Sequence, residues 1–135
     1  MNNRIIIGVI GNDIHAVGLR IIHIALEESG FEVFNLGTNN MPIKFIEAAL
    51  EVNPKAVLVS SINGEAEALC VGFGDMFSNY VSEDIKLYIG GNIVCGFKEK
   101  TEVDKIFLSY GFNRVFYQIA IHEALGTIER DCLYE

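Results

Sequence analysis

The stretch Arg4-Ile5-Ile6-Ile7-Gly8-Val9-Ile10-Gly11-Asn12-Asp13-Ile14-His15-Ala16-Val17-Gly18 decides the fold. Its first part, up to Ile10, is rich in β-branched residues and has no polar alternation. That is the pattern of a strand buried on both faces. A polar, glycine-bounded loop follows. Beyond it, Val17 to Ser29 places Val17, Ile21, Ile24 and Ala25 at helical spacing, and Gly30 stops the helix. The chain therefore opens as strand, loop, helix.

The same unit recurs to the end. Strands are expected at Phe31–Leu36, Ala56–Ser60, Lys86–Ile89 and Arg114–Tyr117. Between them lie a helix opened by Pro42, with Ile43, Ile46, Ala49 and Leu50 on one face, and a glycine-interrupted helix from Glu65 to about Val81. A further helix spans Glu99–Tyr110, with Val103, Ile106 and Phe107 inward, and a last one spans Ile119–Leu133. Strands separated by helices imply a parallel sheet covered on both faces. Five such units fit an α/β, flavodoxin-like, doubly wound sheet of order 2-1-3-4-5, in a single domain over residues 1–135. No repeat, linker or low-complexity tract interrupts it. In this architecture ligands bind beyond the carboxyl ends of the strands. The loops to inspect are residues 11–18, 60–64, 90–96 and 117–121.

Composition narrows the function. The 135 residues are 50% hydrophobic and 21% charged, an ordinary globular balance. A net charge of −8 with only ten Lys and Arg provides no basic face for nucleic acid or an anionic membrane. No apolar run is long enough to span a bilayer, and the opening residues lack a secretory leader's pattern, so a cytoplasmic location is expected. Cys70, Cys95 and Cys132 are odd in number and widely spaced, which reads as three reduced thiols rather than a disulfide framework or zinc site.

The first loop lacks both the G-x-G-x-x-G dinucleotide fingerprint and the P-loop. The third strand ends in Ser60-Ser61 rather than the aspartate that a phospho-acceptor domain requires. What the loop carries is Asp13-x-His15-x-x-Gly18. An imidazole can donate one ring nitrogen to a transition metal while its other nitrogen seeks an acceptor such as a carboxylate. Alone, the pattern reads more simply as Asp13 capping the next helix with His15 partly exposed.

It is accompanied, however, by Ser60-Ser61-Ile62 after the third strand and Gly90-Gly91-Asn92 after the fourth. With D-x-H-x-x-G, S-x-I and G-G at three strand ends, the chain resembles the B12-binding domains of cobalamin-dependent mutases and methionine synthase over essentially its whole length. Within that family it resembles the small, cobalamin-binding subunits of glutamate (methylaspartate) mutases. The features are Gly8-Val9-Ile10-Gly11, His15-Ala16-Val17-Gly18, Val59-Ser60-Ser61 and Gly90-Gly91-Asn92-Ile93-Val94.

The resemblance implies bound cobalamin whose lower base has left the cobalt. His15 would be the axial cobalt ligand and Asp13 its hydrogen-bond partner, on a loop of Asn12, Asp13, Ile14, His15 and Ala16. The nucleotide tail would lie in a groove between the first helix and the sheet, beside Gly18, Ser60, Ser61, Ile62, Gly90 and Gly91. Asn92, Ile93, Val94, Cys95 and Gly96 would line the corrin edge, and Tyr117 would border the tail pocket. The cofactor implied is adenosylcobalamin, the reaction interconversion of L-glutamate and threo-3-methylaspartate, and the partner a separate large subunit that holds the amino-acid substrate. The chain would be inactive alone. A corrinoid methyl carrier and a non-enzymatic B12-binding module are the competing expectations.

The family pattern is not complete. Ile62 stands where leucine is usual, Asn63-Gly64-Glu65-Ala66 lacks an expected tyrosine, and Tyr117-Gln118-Ile119-Ala120-Ile121 replaces a Pro/Gly/Thr loop. His23 and His122 read as surface or packing residues, and Glu99, Glu102 and Asp104 as a solvated helix face.

Overall fold

A computed structural model describes residues 2–11 and 17–133, with the main chain alone at Val17. The elements in chain order are β1 (Arg4–Val9), α1 (Val17–Glu28), β2 (Glu32–Asn35), α2 (Pro42–Val52), β3 (Ala56–Ser61), α3 (Ala66–Leu69), α4 (Phe73–Tyr80), β4 (Lys86–Gly91), α5 (Lys100–Ser109), β5 (Arg114–Phe116) and α6 (Ile121–Leu133). The strands form one parallel sheet ordered β2-β1-β3-β4-β5, as the alternation of elements implied.

The strand period of two sorts the apolar side chains into two cores. Ile5, Ile7, Val9, Leu58, Tyr88 and Phe116 face α1 and α6, where Leu19, Leu26, Ile128 and Cys132 meet them. Ile6, Val57, Val59, Leu87, Ile89 and Val115 face the other way, onto Phe45, Phe73, Phe77, Val103 and Phe107 of α2, α4 and α5. The uniformly apolar β1 and β3 are thus covered on both sides, which is why their sequences show no polar alternation.

Three local expectations change. The segment 65–81 is two helices, because Gly72 takes φ +74° and begins α4 anew. There the chain turns so closely past the end of α5 that a Cβ on Gly74 would lie 2.6 Å from Gly111 Cα. In α1 the inward face is Leu19, Ile22 and Leu26, while Ile21 and Ile24 are exposed. In α2, Phe45, Ile46 and Ala49 are buried and Ile43 and Leu50 face outward. In both helices a second set of apolar residues lies on the solvent side, so spacing alone misplaced Ile21 and Ile24 in α1 and, in α2, placed Ile46 and Ala49 correctly but not Ile43 and Leu50.

Candidate functional site

At the carboxyl edge of the sheet, α1 and α6 part to leave a cleft of about 310 Å³. Leu19 and Ile22 of α1 form one wall, and Ile121, Ala124, Leu125 and Ile128 of α6 the other. The floor is built by the strands. Positions 58 and 60 of β3 and 88 and 90 of β4 point to this side of the sheet, so Ser60 and Gly90, adjacent in register, lie at its outer end. Phe116 closes the flank, stacked on Tyr88 at 5.7 Å. No charged side chain lines the cleft among the described residues. The arrangement suits an uncharged, flat or apolar group more than an ion.

The rim is held by main-chain and amide bonds between loops. Asn92 N–H donates to Ser61 O (2.8 Å) and its side-chain amide to Ile62 O (3.0 Å). Gly64 N–H donates back to Asn92 O (2.9 Å). The loops after β3 and β4 therefore move as one unit. The start of the first loop is fixed separately. Gly11 N–H donates to Asn40 O (2.7 Å), while the buried Asn40 amide donates to Val9 O (3.1 Å) and Gly37 O (2.9 Å). Asn40 thus holds the point from which the chain leaves for residues 12–16. Nothing in its sequence neighbourhood singled it out.

Of the expected site residues, Gly18, Ser60, Ser61, Ile62, Gly90, Gly91 and Asn92 meet at this cleft. Asn12, Asp13, Ile14, His15 and Ala16 lie outside the described residues. Ile93 and Val94 have their side chains buried in the opposite core, so only their main chain is left for a ligand. Cys95 is exposed and borders a second hollow with Gly11, Glu65 and Tyr110; Gly96 is also exposed. Tyr117 does not line the cleft. Phe116 points into it, so the next side chain turns to the other core.

Sequence reasoning missed the α6 wall. Its signal was present as the 121, 124, 125, 128 spacing of a helical stripe. The β5–α6 loop that feeds this wall has Gln118 at φ +58°, in the left-handed region that a glycine would adopt without strain.

At its far end α6 is fastened by a polar cluster. Arg114 Nε and Nη2 donate to the two Asp131 carboxylate oxygens at 2.7 and 2.9 Å, and Tyr88 OH donates to Asp131 at 2.9 Å. The Arg114 bonds hold the Asp131 carboxyl below its usual range, with Tyr88 adding to the effect against the cost of partial burial. Burial pushes the Tyr88 phenol well up. His23, as expected, is a surface residue, bonded to Asn35 at 3.0 Å and facing Glu27 at 3.5 Å.

The B12 binding domain family matches residues 3–112. The glutamate mutase sigma subunit of Fusobacterium nucleatum is 48% identical over 95% of both chains. That of Carboxydothermus hydrogenoformans is 45% identical over 95% of this chain and 94% of its own. Among solved structures, a cobalamin-binding protein from Desulfitobacterium hafniense superposes with a TM-score of 0.75 at 23% identity; this chain covers 58% of that one with 96% of its own length. The receiver domain of a response regulator from Mycobacterium tuberculosis also superposes, at a TM-score of 0.63 and 15% identity. The fold alone is therefore shared with phospho-acceptor domains, whose aspartate this third strand lacks. The motifs at the cleft and the extent of identity decide the matter: the chain belongs to the B12-binding domain family and, within it, to the glutamate mutase sigma subunits.

Proposed function

We propose that this chain is the cobalamin-holding component of an adenosylcobalamin-dependent mutase that interconverts L-glutamate and threo-3-methylaspartate with a separate, larger subunit. The observation that carries the reading is the apolar cleft floored by Ser60 and Gly90, in a chain 48% identical to a glutamate mutase sigma subunit.

The cleft fits the displaced base of the cofactor. Its lining among the described residues is uncharged, and Gly90, which carries no side chain, keeps the floor low. In this reading His15 would ligate the cobalt, Asp13 would orient its ring, and Asn92 to Gly96 would border the corrin. The cofactor, when bound, supplies the radical chemistry. This chain binds it, orients it and shields its lower face. Among the described residues the cleft provides no charged group for an amino-acid substrate, which supports placing the substrate in the partner.

The test is isomerisation of L-glutamate by the chain with adenosylcobalamin, alone and with a candidate large subunit titrated in. Turnover that requires both components is expected. Turnover by the chain alone at a rate the partner does not change overturns the two-component reading. Methyl transfer in place of isomerisation would instead establish a corrinoid carrier.

A further inference from the structure

Among the described residues, the side-chain ties that secure helix α6 to the sheet and to α1 gather at its second half. In its first half Ile121, His122 and Glu123 are exposed and Ala124 and Leu125 are half-buried over the cleft. In its second half Ile128 and Cys132 are buried in the core. The polar ties lie at that same end. Asp131 takes the paired Arg114 bonds and the Tyr88 hydroxyl, and Tyr88 OH also lies 3.6 Å from Cys132 Sγ. Next to them Ser29, just past the end of α1, donates to Glu129. The two helices that wall the cleft are thus joined to each other and to the sheet at the edge opposite its mouth.

We propose that the Arg114–Asp131–Tyr88 cluster is the pin that keeps the cleft open, with Asp131 as a positioning residue for the cofactor's nucleotide tail. Facing apolar walls attract each other in water, so an empty cleft of this lining tends to close by α6 settling onto the sheet. An apolar contact could slide during that motion. A two-pronged guanidinium–carboxylate contact cannot, because it fixes orientation as well as distance. Arg114 is paired in register with Tyr88, so both residues that donate to Asp131 spring from the sheet itself. The pinned end sets the angle of α6, and the first turns are left to yield around the ligand. The inference rests on the reading that the cleft takes the tail.

Without the pin, part of the population closes the cleft, and the apparent dissociation constant rises in inverse proportion to the open fraction. The effect is confined to ligands that enter the cleft. Binding of hydroxocobalamin and of dicyanocobinamide, a corrinoid with no nucleotide tail, is measured by absorbance on the full chain as wild type, Asp131→Asn and Tyr88→Phe. Asp131→Asn is expected to weaken cobalamin roughly tenfold while leaving cobinamide unchanged. Tyr88→Phe keeps the ring stacked on Phe116 and should shift cobalamin in the same direction by less, so it carries the test if Asp131→Asn does not fold. Equal losses for both ligands, or no loss for either, overturn the pin. Wild-type chain that binds cobinamide as tightly as cobalamin overturns the cleft reading beneath it, a separately visible result.

Discussion

Ser61 and Gly91 face each other across β3 and β4 so closely that a Cβ on Gly91 would lie 2.2 Å from Ser61 O. Gly91 also takes φ +102°. Its lack of a side chain is therefore a requirement of the strand ends, not only room left for a ligand. Gly91→Ala is expected to cost about 3 kcal/mol through strain and overlap together. It should also weaken cobalamin binding by displacing the Ser61–Asn92 rim. Urea unfolding of the two proteins checks the first part; an Ala variant as stable as wild type would show that the strand ends separate without penalty.

Asp131 gives a pH dependence whose sign is fixed. Its carboxyl is held below the ordinary value of 3.8, chiefly by Arg114. A carboxyl lowered on folding adds stability above its unfolded value and loses it as pH falls through the folded one. Asp131→Asn should thus cost about 1 kcal/mol at neutral pH, at the low end because Arg114 is half exposed. The gap should stay constant down to about pH 5 and narrow below the ordinary carboxylate range. Unfolding at stepped pH reads this directly, and a gap that widens in acid contradicts the assignment.

The sheet was legible because its strands carry apolar runs without polar alternation, as in Ile5–Ile10 and Ala56–Val59, and its order followed from alternation with helices. The cleft floor was legible too, since Ser60 and Gly90 close their strands and fall at the carboxyl edge in any parallel arrangement. The helix faces were not. Ile21 and Ile24 match the spacing of a buried stripe as well as Leu19, Ile22 and Leu26 do, and only the sheet's position chooses between them. Tyr117 went astray by one position, which in a strand is the difference between two cores. The Asn40–Val9 bond and the Arg114–Asp131 pair join residues 17 or more apart, where no local pattern signals them.

Thiol chemistry separates the three cysteines. Burial pushes the Cys70 thiol up to about 12 and also raises Cys132, whereas Cys95 is exposed. The thiolate is the reactive form. One fast-labelling thiol is expected at pH 8, mapped by mass spectrometry to Cys95, with the other two reacting only on unfolding. Cobalamin should slow the fast reaction if Cys95 borders the corrin. Unchanged labelling with saturating cofactor would remove Cys95 from the site.

The axial ligand has its own signature. His15→Ala should abolish histidine nitrogen hyperfine structure in the Co(II) spin-resonance spectrum of bound cobalamin. Asp13→Asn should keep that structure and weaken binding or activity about 10–100-fold, as partners of metal ligands typically do. Wild-type spectra of protein carrying labelled histidine, with no protein nitrogen on cobalt, would refute the ligand.

Gly18 offers the most direct control of the cleft. It lies at the mouth, and a Cβ built there would meet nothing within 4 Å among the described residues. Its backbone is not in the left-handed region, so larger residues fit the local conformation. Gly18→Ala should therefore fold normally and gain up to about 1 kcal/mol from the better helix former. Gly18→Phe faces the same open space but fills it, competing for the volume between Leu19 and the α6 wall. The Phe variant should remain folded, retain cobinamide and lose cobalamin by a factor of roughly a hundred, since excluding a buried aromatic group forfeits about 2–3 kcal/mol of transfer free energy. Circular dichroism establishes folding and the paired titrations establish the selectivity. A Phe variant that binds cobalamin as wild type does would place the tail elsewhere, whatever the fate of His15.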